Sequence, residues 1–361
     1  MSNNSLKSVK DDKVQKTNQI FFALFAVFVL GWMIFLFKSY LLTISIGILL
    51  AVATANIQNF FLRATKGKRL ISTIFTTIFF AAIFIIPFIY AVVAIFQQGT
   101  SVDIEYLNSI VTYVKNYDFT LPSKVQFLEP KFKELLLGVD FNSLVTNAFN
   151  YIKGSLEKSA SFFTDMGLIV LFFFLSHLYG SELASYIKSV TPMAPSELEF
   201  IFLEVTNTMS VVFYTTIANA ILQGFLFSLI VLFYGQNGLL FGVLFGFASL
   251  IPIVGGALVY VPFSIYELSI GDTFGAISIF LYSVIVISTL ADNFIKPLII
   301  KFINQKLVKT KAKMNELLLF FAMIAGLSSF GFWGVILGPA IVTLTTATLR
   351  LYVLLKERGI M

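Results

Sequence analysis

The stretch "ADNFIKP" at 291–297 brings an acid, an amide and a base together in otherwise apolar sequence. Asp292 and Lys296 are four residues apart and would share one face of a helix. Pro297 is expected to stop that helix. One interpretation is an interfacial ion pair that anchors a helix end. The other is that Asp292 and Asn293 face a cavity and bind a coupling cation or a polar substrate, with Lys296 setting the charge of Asp292.

Two amides, Asn219 and Gln223, lie one helical turn apart in a neighbouring apolar stretch, directly before Gly224. Amides at membrane depth form hydrogen bonds between helices at least as often as they contact a ligand. Both roles remain open for this pair.

Other kinds of chemistry are excluded. The chain has no cysteine and one histidine, His177, so disulfides, thiolate catalysis and Cys-based or His-cluster metal sites are ruled out. We find no nucleophile elbow, phosphate-binding loop or carboxylate dyad, and we predict no enzyme, cofactor or metal. His177 ends an apolar run, where an interfacial position is the simplest interpretation and a proton relay the alternative.

The composition defines the elements that must position these residues. Hydrophobic residues make up 58% of the 361 residues, charged residues 12%, and the mean hydropathy is +0.89. These values are typical of an all-α polytopic membrane protein. We expect about 6–8 membrane helices, because several apolar stretches reach the ~20 residues needed to cross a bilayer. The predicted spans are 20–37, 40–57, 70–96, 165–180, 211–234, 274–292 and a final pair within 316–350.

The domain organisation follows from these spans. Residues 1–19 form an N-terminal tail, 20–96 the first membrane helices, 97–164 an extramembrane helical insertion, 165–350 the transport core and 351–361 a C-terminal tail. Lysines and arginines flank the spans in both tails and in the loop Arg63–Arg69. By the positive-inside rule both termini are cytoplasmic. The net charge of +6 therefore indicates topology rather than nucleic-acid binding.

The segment "IPIVGG" at 251–256 breaks an apolar stretch that has no charged residue between Glu204 and Glu267. The lysine-rich segment after Lys296 is predicted to be cytoplasmic, so the broken region 238–269 contributes either no crossing or two. Its arms are too short to span, which favours a re-entrant hairpin whose exposed backbone at Pro252, Gly255 and Gly256 could bind a ligand. A single kinked span is the alternative.

Glycines in this region predict close helix packing, and a second interrupted unit follows near the C-terminus. Two such units in one membrane protein are a pointer to a transport site. The first set is Gly238, Gly242 and Gly246; the second is Gly326, Gly331, Gly334 and Gly338, followed by Pro339. The unit 316–350 is either a spanning pair or a second hairpin.

Three motifs in order, "FASLIPIVGG", "LADNFIKPLII" and "AGLSSFGFWGVILGPAIV", resemble the C-terminal signature of the autoinducer-2 exporter family, the PerM-like permeases. The N-terminal layout is similar as well. The resemblance implies a multi-pass permease of the bacterial inner membrane that is a homo-oligomer. It implies export of autoinducer-2, a small hydrophilic signalling molecule, or in some members sodium/proton antiport.

Three functional hypotheses follow. The first is a secondary transporter that exports a small polar solute from a site between 251–256, Asp292–Lys296 and 326–339. The second is a sodium or lithium/proton antiporter in which Asp292 exchanges a proton for a cation. The third is an assembly or lipid-handling scaffold that transports nothing. The expected partners are membrane lipids, the solute or a monovalent cation, and further copies of the chain, but no nucleic acid.

Overall fold

A computed structural model describes residues 3–99, 159–191, 193–251, 255–306 and 316–357, and every regular element in these ranges is a helix. The predicted insertion therefore lies almost wholly outside the described residues. The α-helices are α1 (Asn3–Leu36), α2 (Leu41–Ala53), α3 (Ala55–Ala64), α4 (Arg69–Phe80), α5 (Ile86–Gly99), α6 (Ser159–Val190), α7 (Pro195–Phe233), α8 (Gly238–Ala248), α9 (Ala257–Ser269), α10 (Thr273–Tyr282), α11 (Lys296–Lys306), α12 (Glu316–Phe330) and α13 (Gly334–Glu357).

Two π-helices extend this set, and both continue an α-helix without a break. Ala81–Ile85 joins α4 to α5, and Ser283–Ile295 joins α10 to α11. The π conformation is rare and is concentrated at functional sites. The longer one contains Asp292 and Asn293.

The N-terminal unit, Met1–Ser45, consists of α1, the 3₁₀ turn Lys38–Tyr40 and the start of α2. The helical segments on either side of Phe37 are bent by 63°. Nearly all side chains from Ile20 to Leu36 are exposed, and they are apolar around the whole helix. Such a surface is suited to lipid.

The second unit, Ile46–Met361, contains the long spans. Five stretches are long and apolar enough to cross a bilayer, and the bent pair of the N-terminal unit could add a sixth. The five are Arg69–Ala94, Phe162–Val190, Pro195–Phe233, Thr273–Ile303 and Leu317–Glu357. The architecture is an all-α polytopic membrane protein, as the composition predicts.

Helix α7 lies at the centre of this unit. It packs against α8, α11, α13 and the π-helix Ser283–Ile295. Its C-terminal half contributes Phe227 and Val231 to an aromatic and aliphatic core shared with Phe245, Phe263 and Ile279. Its N-terminal half packs Met209 against Ala53 and Ala340.

Two details differ from the sequence prediction. The span predicted for 40–57 is interrupted at Thr54, where α2 ends and the amphipathic α3 begins. The Thr54 hydroxyl donates to the Leu50 carbonyl at 2.7 Å, a local bond that favours a helix end. The prediction that Pro297 stops a helix is also wrong. Pro297 directly follows the π-helix Ser283–Ile295, and the helix continues through it to Lys306, so this proline lies inside a helix that is already irregular.

Candidate functional site

The region 238–269 folds back on itself. The Phe241 and Phe263 ring centroids lie 4.6 Å apart, although 22 residues separate them in sequence. In one continuous helix these residues would be about 33 Å apart, so the arms α8 and α9 are antiparallel. Near the turn, a Cβ built on Gly256 would lie 3.0 Å from the Phe245 ring. We call residues 238–269 hairpin 1.

The arms of hairpin 1 are too short to span a bilayer. Helix α8 has 11 residues and α9 has 13. At 1.5 Å per residue these helices are about 16 and 20 Å long, against a hydrocarbon core of about 30 Å. Hairpin geometry and short arms agree with a re-entrant element. The turn residues Pro252–Val254 lie outside the described part of the chain.

Hairpin 1 rests on α7 through backbone contact. A Cβ on Gly224 of α7 would meet the Gly242 carbonyl at 2.5 Å and the Gly246 backbone at 3.3 Å. Gly238 lies against Leu232 and Ser228 of the same helix. Only glycine permits this separation, so the small residues fix the position of α8 on α7.

The C-terminal unit is a second hairpin. Helices α12 and α13 join at Gly331, whose φ of 65° suits glycine. Gly326 meets the Gly334 backbone and Gly338 meets the Ala322 carbonyl, so the two helices touch without intervening side chains. Residues Leu317–Glu357 therefore fold back and do not form one straight span. We call residues 316–357 hairpin 2.

Each hairpin carries a proline inside a helix. Pro262 lies in α9 and Pro339 in α13. Proline has no N–H and removes one helical hydrogen bond. Hairpins 1 and 2 thus share the same design: two antiparallel helical arms, close glycine contacts at the turn and an interrupted second arm.

The end of the first arm of hairpin 1 and the turn of hairpin 2 line one cavity of about 90 Å³. Leu250 reaches it from hairpin 1, and Phe332 and Trp333 from hairpin 2. Phe162 stacks on Trp333 with ring centroids 5.6 Å apart, and Phe88 lies 5.2 Å from Phe162. Among the lining side chains only that of Thr216 is polar. We call this space the aromatic cavity.

A shallower groove of about 270 Å³ runs beside it, between α5, α7 and α8. Gly224, Gly242 and Gly246 lie along it, and Phe247 and Leu250 line both spaces. The groove is also apolar, with Ser228 as its polar side chain.

The predicted polar residues occupy other positions. Asn219 and Gln223 are buried in α7 and line neither cavity. Val211 packs beside Ile303, and the Tyr282 hydroxyl donates to the Leu226 carbonyl at 3.2 Å. The antiparallel register between these contacts places both amides alongside the π-helix Ser283–Ile295.

Asn293 and Lys296 are not brought to the aromatic cavity. Asn293 is exposed, and its Nδ2 donates to the Thr289 carbonyl at 2.8 Å. Lys296 is half-buried at the start of α11. The backbone of Asp292 lies in the π-helix, while its side chain falls outside the described set. The ion pair Asp292–Lys296 therefore stays a prediction.

A group of buried polar side chains was missed by the sequence patterns. Each has an atom with no hydrogen-bond partner among the residues that the structure describes. We call them the core polar group: Thr208, Thr215, Ser264, Glu267 and Ser283. Single hydroxyls in apolar sequence carry no periodic signal. Glu267 alone was visible, as the end of the uncharged stretch.

A second polar cluster joins α3, α4 and α6, and its members are hydrogen-bonded. Gln58 Nε2 donates to Ser72 Oγ and Thr73 Oγ1, both at 3.0 Å. Thr76 Oγ1 donates to Gln58 Oε1 at 2.6 Å. We call this cluster the junction network.

His177 belongs to the same cluster. It is buried within the protein, and its Nε2 lies 3.0 Å from Thr54 Oγ1. Arg69 closes the cluster by donating from Nε to the His177 carbonyl at 3.2 Å and by bonding Ser181 Oγ at 2.6 Å.

Together these features define a class. The chain is a multi-pass helical membrane protein with two interrupted hairpins that line one cavity, and interrupted helices of this kind are a feature of secondary transporters. The sequence model of the family described as "AI-2E family transporter" matches residues 21–354. The chain belongs to this family.

Relatives extend along nearly the same length. A protein from Helicobacter pylori strain J99 is 33% identical over 341 residues, covering 92% of this chain and 95% of the relative. A protein from Aquifex aeolicus strain VF5 is 27% identical over 326 residues, covering 85% and 88%. The names of both give transport as a provisional assignment and no substrate.

Proposed function

We propose that this protein is a secondary transporter that exports a small polar solute of the autoinducer-2 type. The observation that carries the proposal is that both hairpins line the aromatic cavity. Re-entrant elements that meet at mid-depth can alternate the access of one site between the two sides of a membrane.

The apolar lining supports a gate rather than a binding site at this position. A small dry constriction resists the passage of water and polar solutes until its walls separate. In the structure, ring contacts between Phe88 and Phe162 and between Phe162 and Trp333 close the aromatic cavity. Movement of either hairpin would part these rings and connect the core polar group to water.

Cross-linking of the two hairpins tests this proposal directly. The chain has no native cysteine, so Leu250→Cys and Trp333→Cys introduce the only thiols. In proteoliposomes loaded with autoinducer-2, a reducible thiol cross-linker across this pair should abolish efflux. Reduction of the linker should restore it. The two single-cysteine variants, treated identically, are the matched controls and should keep their flux.

The same assay separates the three functions. Sodium-dependent pH change without solute flux would favour the antiporter, and movement of neither would favour the scaffold. Flux that persists after complete cross-linking contradicts the gating role of the hairpins.

A further inference from the structure

Glu267 is a buried carboxyl in the last turn of α9, at the base of hairpin 1. Its side chain is 3% exposed, and Oε1 has no hydrogen-bond partner in the described part of the chain. Ser264 precedes it by three residues on the same helix face, is 8% exposed and also has an unpartnered Oγ. Two buried polar atoms without a hydrogen-bond partner among the described residues, Glu267 Oε1 and Ser264 Oγ, therefore lie on the same face of α9.

Among the residues that the structure describes, the elements packed around Glu267 place no positive charge beside it. Helix α9 packs against α8 and α10 and, through Phe263, against α7. The titratable groups that these elements place at this end are Asp272, whose N–H donates to the Glu267 carbonyl at 3.0 Å, and Tyr234, which lies against Gly275. Tyr266 is adjacent on α9 itself. The sequence holds no lysine, arginine or histidine from 189 to 295.

The local field also disfavours a carboxylate. Glu267 lies at the C-terminal end of α9, which carries the negative end of the helix dipole, and Asp272 adds a second negative charge. Burial first, and then Asp272, raise the pKa of Glu267 above its ordinary range. A buried carboxyl with no cationic partner is neutralised most simply by a proton.

We propose that Glu267 is a proton-binding site and that loading and release of its proton accompany the movement of hairpin 1. The carboxylate gains one proton when it is sequestered and loses it to water when the base of the hairpin opens. The coupling rests on the transport function proposed above, whereas proton binding does not.

Infrared titration of the purified protein tests the binding step. The C=O stretch of protonated carboxyls is followed from about pH 4 to about pH 9, since ordinary glutamates titrate near 4.3. The wild type should show a carboxyl that remains protonated well above that range, and Glu267→Gln should remove this band. Glu199→Gln, which changes an exposed glutamate, is the matched control and should retain it.

Three results would overturn proton binding at Glu267. The first is a wild type in which every carboxyl titrates in the ordinary range. The second is a band that survives in Glu267→Gln. If that variant does not fold, Glu267→Asp should move the midpoint, and an unmoved midpoint is the third contradicting result.

Flux across a pH series tests the coupling. Wild type and Glu199→Gln should change their efflux at least threefold as Glu267 titrates, and Glu267→Gln should be insensitive to pH. An unchanged pH profile in Glu267→Gln overturns the coupling. A wild type that shows the infrared band and moves no solute overturns the proposed transport function and leaves the proton site standing.

Discussion

The junction network and the core polar group both consist of buried polar side chains, but they differ in hydrogen bonding. In the junction network Gln58 alone joins three hydroxyls on α4 at 2.6–3.0 Å. In the core polar group, threonine, serine and glutamate atoms are buried without a protein partner in the ranges described. An unpaired buried polar atom costs stability, whereas a paired one does not.

In the proposed mechanism, the junction network is a rigid part of the protein, whereas the core polar group lies in the part that moves. The junction network fixes α3, α4 and α6 in one register, because any displacement would break several bonds at once. The core polar group lies on α7, α9 and the π-helix Ser283–Ile295, and two of its members, Ser264 and Glu267, belong to hairpin 1 itself. Its atoms would be satisfied by water or solute when that region opens, so the cost in the closed state favours opening.

The largest loss of stability is expected when Gln58, which bonds to three hydroxyls of the junction network, is replaced. Gln58→Leu removes the partner of Ser72, Thr73 and Thr76 in one step and should lower the free energy of unfolding by about 3 kcal/mol. Detergent-induced unfolding, followed by helical circular dichroism, measures the loss. A loss below about 0.5 kcal/mol would show that the network does not hold the helices together.

A matched pair of threonines gives the next effect and tests the comparison most directly. Thr76→Val removes the donor to Gln58 Oε1 and should cost about 1–2 kcal/mol. Thr215→Val makes the same chemical change at an unpaired hydroxyl and should be within about 0.5 kcal/mol of wild type or more stable. Equal losses in the two variants would remove the distinction between the regions.

The smallest effect is expected at the ion pair between α7 and α13, which belongs to neither cluster. Arg350 Nη1 lies 2.7 Å from Glu204 Oε1, and the side chains are 48% and 21% exposed. Glu204→Gln should cost at most about 1 kcal/mol, because water screens a surface pair. The difference from wild type should shrink further in high salt. A larger, salt-independent loss would indicate a buried structural pair instead.

Much of the fold could be predicted from sequence because apolar length and helix-breaking residues are local signals. Short local motifs, such as "IPIVGG" and the glycines of 326–338, were enough to predict the spans, both interrupted units and the family. Loop charge and arm length predicted a hairpin at 238–269. The Phe241–Phe263 ring contact shows that its two arms lie side by side. The break at Thr54 was not predicted, because Thr54 lies in continuous apolar sequence without a glycine or proline beside it.

The candidate site was less predictable, since burial and pairing depend on tertiary contacts. Thr215 and Thr216 are adjacent in sequence, yet one is buried without a partner and the other lines the aromatic cavity. Phe88, Phe162 and Trp333 come from three distant stretches, and Phe162 was predicted to lie in the extramembrane insertion, whereas it begins the span Phe162–Val190. Asn293 was chosen for its polarity, but its amide satisfies the backbone of its own helix.

The two helical prolines have a further consequence for how each hairpin could move. Pro262 cannot donate to the Leu258 carbonyl, and Pro339 cannot donate to that of Val335, a residue that lines the aromatic cavity. Each hairpin therefore keeps one main-chain oxygen released from its helical bond. A helix that lacks one main-chain bond bends at that level more easily than an intact helix. Pro262 and Pro339 therefore mark the points at which each second arm could flex while the rest of its hairpin stays rigid.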